Sequence, residues 1–307
     1  MTLPFTLQQL RILKAIASEK SFTRAAEILF VSQPSLSKQI KTLENRLKIS
    51  LINRENNIIS LTEAGKLFLQ YSERILALCE ESCRALNDLK TGERGHLIVG
   101  ASQTIGTYLM PRVLALFAQN HPQINIKVNV DSTRIIAKNI VDGEIDIAVV
   151  GGNIPDELQK NLEIENFVND ELILIIPKSH PFALKKKINK EDLYHLNFIT
   201  LNSNSTIRKL IDNILAQNKI RTKQLHIIMQ LNSIEAIKTA VSLGLGAAFI
   251  SSSAIEKEIE LETIEIVTIE NIKITRTLSI ITNPECYRSK AVDFFYNELW
   301  TLKNISS

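Results

Sequence analysis

Apolar side chains at Leu7, Leu10, Leu13, Ile16 and Ala17 recur at steps of three or four, the signature of one buried helical face, with an end near Ser18 to Lys20. Ser21 offers an N-cap oxygen to a second helix, Phe22 to Leu29, whose Ala25-Ala26 pair is small enough to let another helix cross closely. After a turn at Phe30 and Val31, Ser32 caps a third helix that carries Pro34 in its first turn and Leu36, Ile40, Leu43 and Leu47 along its back. Two short helices joined by a tight turn, the second apolar behind and polar in front, predict a helix-turn-helix. That front holds Gln33, Ser35, Ser37, Lys38, Lys41 and Thr42. Gln can read an adenine edge, Ser and Lys can hold phosphates, and Pro34 or Ser35 is small enough to approach a base. Ser21 and Thr23, at the head of the second helix, complete this candidate DNA-binding set. From spacing alone, a solvated surface helix of a bundle fits the same pattern.

Two apolar runs, Ile49 to Ile52 and Ile58 to Leu61, flank the polar stretch Asn53 to Asn57, which predicts a small hairpin, a wing, with Arg54 near its tip for the DNA backbone or minor groove. Thr62 and Glu63 then open a long helix to about Leu89. Along it Ala64, Phe68, Tyr71, Ile75, Leu78, Ser82, Ala85 and Leu89 alternate steps of four and three, a heptad seam that wants a partner helix or a face of its own chain. Thr91 to Gly95 reads as a hinge. Beyond it, short apolar runs alternate with helical stretches. Strands are expected at Leu97 to Ala101, Ile124 to Val130, Ile145 to Val150, Leu172 to Ile176, Phe198 to Leu201, His226 to Leu231, Ala247 to Ile250 and Leu278 to Thr282. Helices are expected at Tyr108 to Gln119, Ile135 to Val141, Ile207 to Gln217 and Ile234 to Leu243. Such alternation predicts an α/β body with mainly parallel sheets.

Charge divides unevenly. The first sixty residues hold nine Lys or Arg against four Glu, so of the net +3 a surplus of five sits at the head and −2 on the remaining 247 residues. A basic head on a slightly acidic body suits a polyanion partner, and equally a solvated surface. Mean hydropathy is +0.04 with 45% apolar residues, so several cores can be buried, and no apolar run is long enough to span a membrane. The N-terminus lacks the layout of a signal peptide, so the cytoplasm, or a plastid stroma, is the expected compartment. Cys79, Cys83 and Cys286 form neither a disulfide framework nor a ligand set, so no metal is expected; Cys79 and Cys83, four apart, read as idle cysteines ahead of a metal or redox pair. The five histidines are scattered, and no nucleophile elbow, Walker or HExxH spacing occurs, which leaves catalysis without candidate residues.

Three segments, Phe22-Thr23-Arg24-Ala25-Ala26-Glu27, Val31 to Ile40 and Leu61-Thr62-Glu63-Ala64-Gly65, together resemble the DNA-binding domain of LysR-type transcriptional regulators. Lys48 and Ile52 depart from the family, which usually has Gly and Phe there, and bear on the bend into the wing. The resemblance implies a DNA-binding domain over 1–61, a dimerising helix over 62–90 and an effector-binding domain over 91–307, two-lobed like periplasmic solute-binding proteins. The first lobe would span about 91–162 and 268–307, the second about 163–267. It further implies recognition of an inverted repeat in double-stranded DNA, a homodimer through the linker helix, a homotetramer, and RNA polymerase as a further partner. Ligands of open α/β sheets lie beyond strand ends, so the cleft between lobes would take a small anionic effector and no cofactor. Ser102 and Thr104, Ser132 and Thr133, and Asn202, Ser203 and Ser205 lie in polar strand-to-helix turns that could converge there, with Phe249 added; each turn alone is more often a helix cap. Leu89 to Gly92, Leu245 to Ser251 and the run to Glu258 resemble the subgroup controlling RuBisCO and carbon-fixation genes, and the plentiful Ile, Lys and Asn suit an A/T-rich plastid genome. Against this stand a regulator of another operon, such as nitrogen or inorganic carbon uptake, and a solute-binding protein that does not bind DNA.

Overall fold

In the computed structural model, residues 3–53, 59–91 and 95–305 are described. The chain divides near residue 92 into two compact units. In the first, α1 (Leu7–Glu19), α2 (Phe22–Ile28) and α3 (Gln33–Leu47) are followed by β1 (Ile52–Asn53), β2 (Ser60–Leu61) and α4 (Glu63–Thr91). Ser21 and Ser32 cap α2 and α3 as expected, accepting from Arg24 N–H and Ser35 N–H, and Thr6 with Gln9 closes a capping box on α1. Leu13, Ile16, Ala25, Leu36, Ile40, Leu43 and Leu51 are fully buried and form one core.

The α3 C-cap, Lys48, is in the left-handed region at φ 55°, ψ 32°. A side chain costs about 1–2 kcal/mol there, part of which glycine returns through the freedom of its unfolded chain. Lys48→Gly should therefore stabilise this unit by roughly 0.5–1 kcal/mol, seen as a higher denaturant midpoint at unchanged slope; an unchanged or lower midpoint would mean the site carries no strain.

The second unit begins with β3 (His96–Ser102), a π-helical turn at Ile105–Leu109, α5 (Met110–Asn120), β4 (Asn125–Asp131), α6 (Thr133–Val141), β5 (Ile147–Val150) and α7 (Asp156–Gln159). The long β6 (Glu163–Pro177) leads to β7 (Lys187–Ile188), β8 (Asn197–Leu201), α8 (Thr206–Gln217), β9 (His226–Leu231), α9 (Ile234–Ser242), β10 (Ala248–Ser251) and α10 (Glu256–Glu260). Then β11 (Ile264–Ile269), β12 (Thr275–Thr282) and α11 (Lys290–Ile305) close the chain.

The strand order is β4-β3-β5-β12-β6-β11-β7, with β10 also on β6 and β8 beside β9. This corrects the expectation of mainly parallel sheets. β3 with β4, β3 with β5, β8 with β9 and β11 with β7 are parallel, but β12 runs antiparallel to β5 and β6, and β6 antiparallel to β10 and β11. The reason is that β6 and β12 carry the chain out of one lobe and back, so each meets its neighbours against their direction. Phe167 and Leu278 belong to the first lobe's core with Phe117 and Phe295, whereas Leu172 and Ile274 belong to the second with Phe198 and Leu215. The passage between lobes thus falls within β6, near Asp170, and at the start of β12.

Candidate functional sites

On α3 the buried Leu36, Ile40 and Leu43 leave Gln33, Pro34, Ser35, Lys38 and Lys41 exposed and Ser37 half-buried. Positions 34, 37, 38 and 41 share one side of a helix by their steps of three and four. Gln33 Nε2 donates to Ser37 Oγ at 3.2 Å, which aligns a carboxamide and a hydroxyl at the head of the helix. Thr23 is exposed, while the Ser21 oxygen is occupied as the cap of α2. Arg54, the expected tip of the wing, lies outside the described residues.

Three supporting roles are not visible in the sequence. The Glu44 carboxylate on α3 accepts the N–H groups of Leu51 and Ile52 at 2.8 and 3.1 Å, which ties helix to wing. Buried Gln9 on α1 donates to the Gln39 carbonyl at 3.3 Å. At Gly65 a Cβ would come within 2.0 Å of the Leu51 carbonyl oxygen, so only glycine lets α4 start against the wing. Acidic or amide positions in α1 and α3 and a glycine in a helix's first turn were the only hints.

Along α4 the expected seam is divided. Ala64 and Phe68 pack on the core of the first unit, while Tyr71 and Leu78 of the seam, joined by Leu67 and Leu86 from outside it, are 56–64% exposed along a stripe within about a quarter of the helix circumference.

In the second unit, Ser102, Gln103, Thr104, Ser132, Thr133, Gly151, Asn202, Asn204, Ser205, Thr206, Asn232 and Arg276 line a cleft of about 420 Å³, within the usual size of a small-molecule site. Both lobes contribute. Gly152 shows how closely, since a Cβ there would sit 3.1 Å from Thr133 Oγ1 on α6 and from Thr206 Oγ1 on α8. Three of the expected hydroxyls are partly committed: Ser132 and Ser205 cap their helices, and Ser102 Oγ accepts the Gly151 N–H at 3.2 Å. Ser203 does not line this cleft. Phe249 does not either: its ring stacks on Phe198 at 5.9 Å and borders a small apolar pocket of the second lobe, because its strand turns that face toward the core. Gln103, Asn204 and Thr206 of the same turns line the cleft too, while Gly151, Asn232 and Arg276 are lining residues outside the expected turns.

Beside the cleft, the Tyr108 hydroxyl donates to Glu235 Oε1 at 2.7 Å across the lobes, and the Lys238 ammonium sits 4.9 Å from the Tyr108 ring centre. Burial, then this hydrogen bond, pushes the Tyr108 phenol well above its ordinary value. Burial alone would raise the Glu235 carboxyl, but the bonds from Tyr108 and Lys238 hold it below the usual range. Arg112 also pairs with Glu256. Among the described residues no cluster could hold a metal ion, and no helix is long and apolar enough to cross a membrane.

Comparison with known proteins identifies both units. Residues 7–66 match the bacterial regulatory helix-turn-helix family of LysR proteins, and residues 90–302 match the LysR substrate binding domain. The chain is 86% identical to a "Probable RuBisCO transcriptional regulator" of Trieres chinensis over 100% of both chains. It is 53% identical to a protein of the same name from Synechocystis sp., covering 97% of this chain and 86% of that one. A crystal structure of full-length CbnR complexed with its target DNA aligns with a TM-score of 0.70 at 22% identity, over 96% of this chain and 99% of that one. The chain therefore belongs to the LysR family, DNA-binding transcriptional regulators that are not enzymes.

Proposed function

We propose that this chain regulates RuBisCO genes in a plastid stroma, gripping an inverted repeat as an α4-linked dimer and answering to a small anion in the cleft of its second unit. The name shared by its relatives, at 86% identity over the whole chain in one case, carries the choice of target. The A/T-biased residue usage supports a plastid gene. α3 is the reading element, with Gln33, Pro34, Ser35 and Ser37 toward bases and Ser21, Thr23, Lys38, Lys41 and Arg54 toward the backbone. The exposed stripe on α4 supports the dimer, and pairing of dimers gives the tetramer that contacts RNA polymerase. In the second unit Ser102, Thr104, Ser132, Thr133, Asn202 and Ser205 surround the effector. The Tyr108–Glu235 and Arg112–Glu256 contacts favour one lobe angle, and an effector shifts the population between angles.

Gel shifts on the promoter of the RuBisCO genes, at two salt concentrations, test the target. Protection of an inverted repeat supports it; protection of a repeat upstream of a nitrogen or carbon uptake operon instead would move the regulator to that operon. Lys38→Ala should weaken binding to every sequence about equally and reduce the salt slope by about 0.9, the value of one phosphate contact. A change confined to one base position would instead make Lys38 a base reader.

A further inference from the structure

Two residues that line the cleft each hold a buried side-chain atom without a hydrogen-bond partner: Nη2 of Arg276 and Oγ1 of Thr104. Both residues are more than nine-tenths buried, Arg276 at 8% and Thr104 at 3% exposure. The rest of the Arg276 fork is engaged. Its Nε donates to Asp170 Oδ2 at 2.7 Å and its Nη1 to the Gly151 carbonyl at 3.0 Å. A buried guanidinium nitrogen is costly to leave without an acceptor. No carboxylate lines this cleft, and Arg276 is the one charged residue among its lining side chains. The complement of a guanidinium N–H and a hydroxyl that both lack partners in one cleft is an oxyanion, which can accept from each.

The position of Arg276 in the fold adds a second consequence. It lies on β12 directly opposite Asp170 on β6, at the point where both strands pass between lobes. Asp170 Oδ1 in turn accepts the Ser251 hydroxyl of the second lobe at 2.6 Å, and Gly151 follows β5 of the first. We propose that Arg276, together with Thr104, is the anion receptor of the cleft, binding one carboxylate or phosphate group and coupling it through Asp170 to the hinge between lobes. This rests on the reading of the cleft as the effector site.

The test is calorimetric titration of the full-length protein with inorganic phosphate and with acetate, glycerol serving as the neutral control. The tighter of the two anions names the acid group of the effector. Arg276→Gln alone would strand a buried Asp170, so it is paired with Asp170→Asn, and Thr104→Val provides a variant outside the ion pair. The paired variant should lose at least about tenfold in affinity for the preferred anion and Thr104→Val a few-fold, as expected for one charge-assisted and one neutral hydrogen bond. Arg276→Lys should fall between, since it keeps charge but not the planar fork. Equal affinity in wild type and both variants, or no anion binding by the wild type, would overturn the assignment. Gel shifts on the same proteins separate the two claims: retained DNA binding with no effect of the variants on anions removes the receptor and leaves the regulator, whereas lost variant affinity without specific DNA binding by the wild type does the reverse.

Discussion

Gly65→Ala should abolish DNA binding while leaving the melting of the second unit where it was. The added Cβ would stand 2.0 Å from the Leu51 carbonyl oxygen, a backbone atom that cannot swing aside. That oxygen also accepts the Thr62 N–H at 3.0 Å, and Gly65 N–H donates to Thr62 Oγ1 at 2.9 Å, so relief in any direction breaks the junction of wing and α4. The cost should reach about 3 kcal/mol or more, the upper range for overpacking, which is a large share of what a unit this size possesses. Calorimetry that resolves the two units and a gel shift at one temperature would check it. Wild-type binding by Gly65→Ala would show that α4 can start elsewhere without harm.

Leu78→Glu should turn the dimer into monomers. Leu78 is 64% exposed on the same side of α4 as Leu67, Tyr71 and Leu86, apolar surface that a single chain leaves in water. Covering it with a second α4 makes a charge there costly, and loss of the dimer also removes the gain of binding two half-sites together, about 100-fold or more in affinity. Sedimentation and titration of an inverted repeat read both effects. Glu80→Lys, on the far side of the helix, should leave mass and affinity unchanged. A monomeric wild type, or a Leu78→Glu protein that stays dimeric, would place the contact elsewhere.

What the sequence made legible was local. Spacing within fifteen residues is enough to place α1, α2 and α3 and the caps of the last two, because helix faces and cap oxygens act over one or two turns. The same is true of the polar strand-to-helix turns at Ser102, Ser132 and Asn202. What stayed hidden depends on contacts distant along the chain. Arg276 and Asp170 are 106 positions apart, and neither stands out in its own strand. The first half of β6, with Glu163, Glu165, Asn169 and Asp170, is too polar to read as strand, so only its apolar second half was expected and the antiparallel crossing was missed. β11 was readable in the alternation of Ile264, Glu265 and Ile266 and was overlooked. Phe249 was misplaced because a strand's period of two does not say which of its faces meets the cleft.

The Glu44 carboxylate, shared between the N–H groups of Leu51 and Ile52, fastens the start of β1 to α3. If an effector acts on DNA binding as proposed above, this joint leaves it the spacing between two heads to adjust, with each head's α3 and β1 moving together.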